Sequence, residues 1–230
     1  MVNLLFDYDG TLHDSLRIYA PAVQTAYDRL TRLGCAPPRR WSDEEVRAWI
    51  GLPPAQMWDQ CVPGLPDTEK QTCAALVGRR MLELVQAGHA RLYAGVPEVL
   101  TALRQQGFRL LLLSNCPISY LRAHTEYFHL ERFFHGLFCA EQFAYRPKYE
   151  IFSQLRPRYD GTFAVIGDRI QDMEIARRNG LPAIGCLYGY GGRKELSGAD
   201  WTVQAPSQLL SCVMGIPADG GQQQTDSTRS

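Results

Sequence analysis

Apolar residues follow different spacings in different parts of the chain, and the change in spacing divides it. Val2 to Phe6 is a short apolar run that stops at Asp7-Tyr8-Asp9-Gly10. A surface strand would alternate, so this run reads as a strand buried on both faces. From Ser15 to Leu33 the spacing becomes helical and closes at Gly34, a natural helix stop. After the Pro37-Pro38 break, Ser42 with Glu45 gives a capping-box pattern that opens a helix ending near Gly51. Prolines punctuate the next stretch, and Asp67 or Thr68 starts a long helix to about Ala87. From residue 15 to about 91 the pattern is helix after helix, with no convincing strand.

Beyond Gly95 strands return. Pro97 sits where a first helical turn tolerates proline, and that helix runs to Gly107. Apolar runs at Phe108 to Leu113, Leu137 to Cys139, Phe163 to Ile166 and Pro182 to Leu187 alternate with helical segments. Such alternation predicts βαβ units and a parallel sheet. The expected fold is α/β, a Rossmann-like parallel-sheet core made of residues 1–14 and 92–216. A helical insert of residues 15–91 follows the first strand. Residues 217–230, rich in Gly, Gln, Ser and Thr, read as a disordered tail.

Composition narrows the function classes. The 230 residues carry a net charge of +0, which removes the electrostatic case for nucleic-acid binding and for a polybasic membrane anchor. All but three of the 24 basic residues are arginine, so Lys70, Lys148 and Lys194 stand out. The seven cysteines have no C-x-x-C pair and no zinc or disulfide spacing, and read as reduced, packed thiols. No run approaches the roughly 18 apolar residues of a membrane span, and the opening MVNLLFDYDG is too short an apolar run, with no basic segment, to read as a signal peptide. A cytoplasmic location is expected.

Polar residues gather at the ends of the apolar runs, where open α/β sheets bind ligands. Asp7 and Asp9, two apart on an extended segment, point the same way and need a cation or a shared proton. An Asp-Gly turn would also explain them. Gly10 lets the backbone approach a ligand, and the amides that follow can form an anion nest. Gly167-Asp168, with Asp172, ends another strand and opens a helix. Beside Asp7 and Asp9 it would complete an all-oxygen site suited to Mg²⁺; otherwise Asp168 caps the helix and Asp172 is exposed. Ser114 and Asn115 either cap the next helix or bind phosphoryl oxygens. Lys148 is either solvated or neutralises a transferred phosphoryl group.

In this order, Asp7-Tyr8-Asp9-Gly10-Thr11-Leu12, Ser114-Asn115, Lys148 and Gly167-Asp168 with Asp172 resemble the haloacid dehalogenase superfamily over about residues 2–215. Asp14, Gly51-Leu52-Pro53, Gly189-Tyr190-Gly191, Glu195-Leu196 and Ala199-Asp200 resemble its phosphoglycolate-phosphatase-like branch, with a helical cap after the first motif. The resemblance implies a phosphatase for a small phosphorylated metabolite. Asp7 would be the nucleophile that forms an aspartyl-phosphate, and Asp9 the general acid and base. Mg²⁺ would be held by Asp7, the Asp9 carbonyl and Asp168, supported by Asp172. Gly10, Thr11, Ser114, Asn115 and Lys148 would bind the phosphoryl oxygens.

The third motif departs from many relatives, which place its lysine directly before a proline; here Arg146-Pro147-Lys148 stands. Lys148-Tyr149-Glu150-Ile151 fits a related pattern, so Lys148 is assigned and Arg146 is the reserve. A sugar phosphomutase on the same core and a non-catalytic phosphate-binding protein are the alternatives. A phosphonatase would need a cap lysine, and the insert offers only Lys70. The glycine-rich Gly189 to Lys194 stretch is not a nucleotide P-loop. The sequence does not decide which cap side chains face the substrate; Arg17, Tyr19, Arg47 and Trp49 are candidates, and the Gly51 to Pro54 loop would form part of a lid. Cys116, next to Asn115, reads first as a simply packed thiol; the alternative is a cysteine whose oxidation would block the site.

Overall fold

A computed structural model describes residues 1–216; the 217–230 segment read as a tail lies outside the described residues. Six strands form one parallel sheet: β1 (Val2–Phe6), β2 (Arg109–Ser114), β3 (Gly136–Cys139), β4 (Thr162–Gly167), β5 (Ala183–Cys186) and β6 (Trp201–Val203). Their spatial order is β3-β2-β1-β4-β5-β6. The chain moves outward from β1 to β3, then returns to β4 on the other side of β1. That reversal creates the crevice at the strand carboxyl ends where α/β folds bind ligands.

The continuous apolar runs follow from burial on both faces. Leu4 and Phe6 of β1 sit level with Leu110 and Leu112 of β2 and Ala164 and Ile166 of β4, and all six belong to one core cluster. Leu5, Leu111 and Val165 belong to a second cluster. Alternate residues thus enter opposite layers, so both faces call for apolar side chains; the buried Asn3 near the start of β1 is accommodated because its amide donates to Asp160 O and Thr162 O. Helices α5 (Val96–Gln105) and α6 (Ile118–Phe128) feed the first cluster, while α7 (Lys148–Leu155) and α8 (Ile170–Asn179) feed the second.

Between β1 and α5 lie α1 (Leu16–Arg32), α2 (Asp43–Arg47), α3 (Pro54–Cys61) and α4 (Asp67–Gln86). They build a third cluster around the fully buried Trp58, Ala22, Val23 and Leu30. The expected capping box is present, with Glu45 N donating to Ser42 Oγ and Ser42 N to Glu45 Oε2; its helix stops at Arg47, short of Gly51. The insertion is tied to the sheet: Ile18, Leu84 and Val85 join the first core cluster. No helix among the described residues is long and apolar enough to cross a membrane.

Three elements were not legible in the pattern. Helix α3 begins at Pro54, in the first turn, where a missing N–H costs nothing; the paired prolines mark a helix start as well as a break. Strand β6 has three residues and α9 (Leu209–Met214) six, too few to show a period.

Candidate active site

Strand β1 delivers Asp7 to the carboxyl edge of the sheet, anchored by its own N–H donating to Ile166 O at 2.8 Å. The chain then turns tightly. Gly10 holds φ +89°, and a Cβ there would lie 2.2 Å from Asp168 Oδ2, so glycine alone allows the loop to close against β4. The turn uses its own amides: Gly10 N donates to His13 O at 2.9 Å and Thr11 N to Tyr8 O at 3.3 Å. Thr11 is buried, and its hydroxyl donates to Asp168 Oδ1 at 3.0 Å. The loop therefore departs from the expected nest. The N–H groups of Gly10 and Thr11 are spent within the turn, and Thr11 braces an acidic neighbour.

Asp168 follows β4 and is fully buried. Its second oxygen accepts from Tyr190 N at 2.7 Å. Gly191 permits this approach, because a Cβ there would meet Asp168 O at 1.8 Å. Asp168 does not cap α8. Asp172 Oδ2 takes that role by accepting from Arg169 N at 3.1 Å, and Asp172 is buried. Lys148, at the first residue of α7, closes the cluster: Nζ lies 2.5 Å from Asp7 Oδ1 and 2.7 Å from Asp172 Oδ1. Lys148 is buried whereas Arg146 is exposed, so of the two candidate cations only Lys148 reaches the carboxylates.

The charges do not balance inside the protein. Carboxylate oxygens of Asp7, Asp168 and Asp172 lie within 4.8 Å of one another, all buried, with one ammonium between them. Burial, reinforced by Asp172 and Asp168 against the pull of Lys148, pushes the Asp7 carboxyl well above its ordinary range. Burial and Asp172 push Asp168 up to about 6. For Lys148 burial acts downward, but Asp172 and Asp7 outweigh it and hold the ammonium charged. Three carboxylates and one ammonium leave a formal surplus of two negative charges. An all-oxygen donor set with that surplus fits a hard divalent cation.

Asp9 faces the same cavity from a separate network. Its Oδ1 accepts from Tyr120 OH at 2.8 Å and lies 2.9 Å from His13 Nδ1. Burial pushes Asp9 up, yet the hydrogen bonds from His13 and Tyr120 prevail and hold it below the ordinary carboxylate range. Behind them Tyr8 OH lies 2.8 Å from His124 Nδ1; burial and the adjoining His13 push His124 down to about 3, so its ring is neutral. None of these partners was anticipated. His13 stands four residues after Asp9 inside the motif, which was a signal to follow; Tyr120 and His124 meet Asp9 only through the fold.

At the end of β2, Ser114 Oγ accepts from Cys116 N at 3.3 Å and is buried, while Asn115 is exposed to the cavity. Neither caps α6, whose N-cap is Pro117. Cys116 also lies in the cavity wall, but burial pushes its thiol well above the usual range. A buried, protonated thiol is a poor target for peroxide, which favours the packed reading of Cys116 over the oxidation alternative.

Sheet and insertion enclose a cavity of ≈ 250 Å³. Asp7, Asp9, Ser114, Asn115 and Lys148 line its floor, and Tyr19, Ile50, Gly51, Leu52 and Pro54 line the opposite side. The Gly51 to Pro54 loop thus stands over the carboxylates. Of the four other cap candidates, Tyr19 alone lines the cavity. Arg17 pairs with Asp14 at 2.9 Å, Arg47 donates to Gly189 O at 3.1 Å, and Trp49 packs in the insertion core against Trp41.

Comparison with known proteins agrees with this architecture. The family model described as haloacid dehalogenase-like hydrolase matches residues 4–186. The chain is 31% identical over 227 residues to a phosphoglycolate phosphatase of Synechococcus elongatus, covering 93% of this chain and 97% of that one. It is 31% identical over 198 residues to a 5'-nucleotidase of Pseudomonas aeruginosa, covering 84% and 86%. Among solved structures, a predicted phosphoglycolate phosphatase from Haemophilus somnus superposes with a TM-score of 0.76 at 22% identity, covering 92% and 97%, and supports the fold. The chain belongs to the haloacid dehalogenase-like hydrolases.

Proposed function

We propose that this hydrolase is a Mg²⁺-dependent phosphatase of small phosphomonoesters that works through a phosphorylated Asp7. The observation that carries the reading is the placement of Asp7. Its carboxylate touches Lys148 at 2.5 Å, belongs to the Asp7–Asp168–Asp172 cluster, and opens into a cavity that Asp9 also lines. Asp7, Asp168 and Asp172 would hold the ion, with the Asp9 carbonyl as a further ligand. The bound ion supplies positive charge that neutralises the cluster and polarises the phosphoryl oxygens.

An Asp7 carboxylate oxygen attacks phosphorus, the bond from phosphorus to the ester oxygen breaks, and the leaving alkoxide takes a proton from Asp9. Asp9, now a carboxylate, takes a proton from water. The resulting hydroxide attacks phosphorus, releases inorganic phosphate and restores Asp7. Lys148, Ser114 and Asn115 orient and neutralise the transferred group, and positioning of this kind supplies most of the acceleration in phosphoryl transfer. The N–H groups of Tyr8 and Asp9, which follow the nucleophile, take the part first expected of Gly10 and Thr11. In its resting hydrogen bonds to His13 and Tyr120, Asp9 is poised as the base; to act as the acid it must take up a proton as substrate binds.

Hydrolysis of p-nitrophenyl phosphate with and without Mg²⁺, beside Asp7→Asn, tests this. Turnover that requires Mg²⁺ and falls at least about 1,000-fold in the variant is expected. No Mg²⁺-dependent turnover of this or any phosphomonoester would favour a phosphate-binding protein instead.

A further inference from the structure

The two sides of the cavity differ in chemistry. Every ionisable carboxylate or cation that lines it comes from the sheet domain: Asp7, Asp9, Lys148 and Arg169. Both cations are already engaged. Lys148 bridges Asp7 and Asp172, and Arg169 donates to Glu195 Oε2 at 3.0 Å and to Ile50 O. The insertion contributes Tyr19, Leu52, Met57, Trp58, Val77 and Met81 to the wall, and no charged side chain. With the phosphoryl group held over Asp7, the alcohol of the ester must extend toward that wall.

We propose that the alcohol this site accepts is apolar, an aryl or branched-alkyl group, and not a carboxylate-bearing one such as glycolate. The inference rests on the phosphatase reading and names its substrate class. A carboxylate two atoms from the ester oxygen would be desolvated against Leu52, Val77 and Met81 with no unengaged cation of the wall to meet it, which is unfavourable. A hydrocarbon of the same size gains by leaving water there. A second, largely apolar cavity adjoins the first: Asp9, Met81 and Cys116 line both, and Leu82 and Pro117 line the second. An apolar group lying along it passes Asp9, the residue that protonates its oxygen. The second cavity's cation is Arg79, which is exposed and has no ion pair among the described residues. It does not line the first cavity.

The test compares kcat/KM of the full chain with Mg²⁺ on benzyl phosphate, isobutyl phosphate, phosphoglycolate and glycerol phosphate, esters of similarly basic alcohols. Benzyl phosphate is expected to exceed phosphoglycolate by at least about 100-fold. Met81→Lys, which puts an ammonium into the half-buried wall, is expected to cut that ratio at least about tenfold. Leu52→Lys, on the loop, serves the same purpose if Met81→Lys does not fold, as judged by its thermal transition. Phosphoglycolate turned over as well as benzyl phosphate overturns the inference while leaving the phosphatase reading intact, and loss of that activity in Arg79→Ala would identify the cation missed. No Mg²⁺-dependent turnover of any ester, p-nitrophenyl phosphate included, sinks both.

Discussion

Without a bound cation, the acidic cluster should make the fold lose stability as pH rises. Asp168 is the clearest reporter, being fully buried, with its carboxyl pushed by burial and Asp172 from 3.8 to about 6. Between those values the folded protein retains a proton that the unfolded chain has released. The folded state then binds more protons than the unfolded state, so stability falls with rising pH across that window. At 1.36 kcal/mol per pH unit the displacement corresponds to about 3 kcal/mol, present below pH 4 and lost above about pH 6. Asp168→Asn removes the titration. An amide has one acceptor oxygen where the carboxylate has two, so the variant gives up either the Thr11 or the Tyr190 bond, about 1 kcal/mol at every pH. The assay is urea unfolding from about pH 4 to pH 7, in chelator and in saturating Mg²⁺. In chelator, stability of the parent relative to Asp168→Asn should drop by about 3 kcal/mol across the range; Mg²⁺, which favours the charged carboxylates, should abolish the drop. Parallel pH curves for the two proteins in chelator would refute the reasoning.

Lys148→Met should lower kcat by about 100- to 1,000-fold, whereas Arg146→Met, at an exposed position, should leave it unchanged; equal effects in a steady-state assay would reverse the assignment. Tyr120→Phe removes a hydrogen bond that holds Asp9 below its ordinary range, so the limb of the pH–rate profile that belongs to Asp9 should move to higher pH, and an unmoved limb would detach Tyr120 from that role. Because the Cys116 thiol is buried and protonated, inactivation by peroxide should proceed at the same rate in Cys116→Ser as in the parent; protection by the substitution would restore the redox reading.

Local pattern carried much of this protein. Strands buried on both faces must be continuously apolar, so β1, β2, β4 and β5 were visible as runs, and the residues at their ends were visible as candidates. The motif around Asp7 and the scarcity of lysine led to Asp7, Asp9, Asp168, Asp172 and Lys148, because a site built from strand ends leaves its polar residues at fixed places in the chain. Pairing across the fold was not visible. That Thr11 braces Asp168, that Tyr120 holds Asp9, and that Tyr190 meets Asp168 depend on which loops meet at the sheet edge. No spacing encodes such meetings between segments up to 157 residues apart. The same holds for the cavity wall. Residues of the insertion are apolar whether they face its own core or the active site, and periodicity cannot tell the two apart. Only packing assigns Trp49 to the interior and Leu52, Val77 and Met81 to the cavity. Sequence thus determined the chemistry at the phosphoryl end, where polar residues are conspicuous against buried strands; tertiary structure decided what surrounds the other end of the ester.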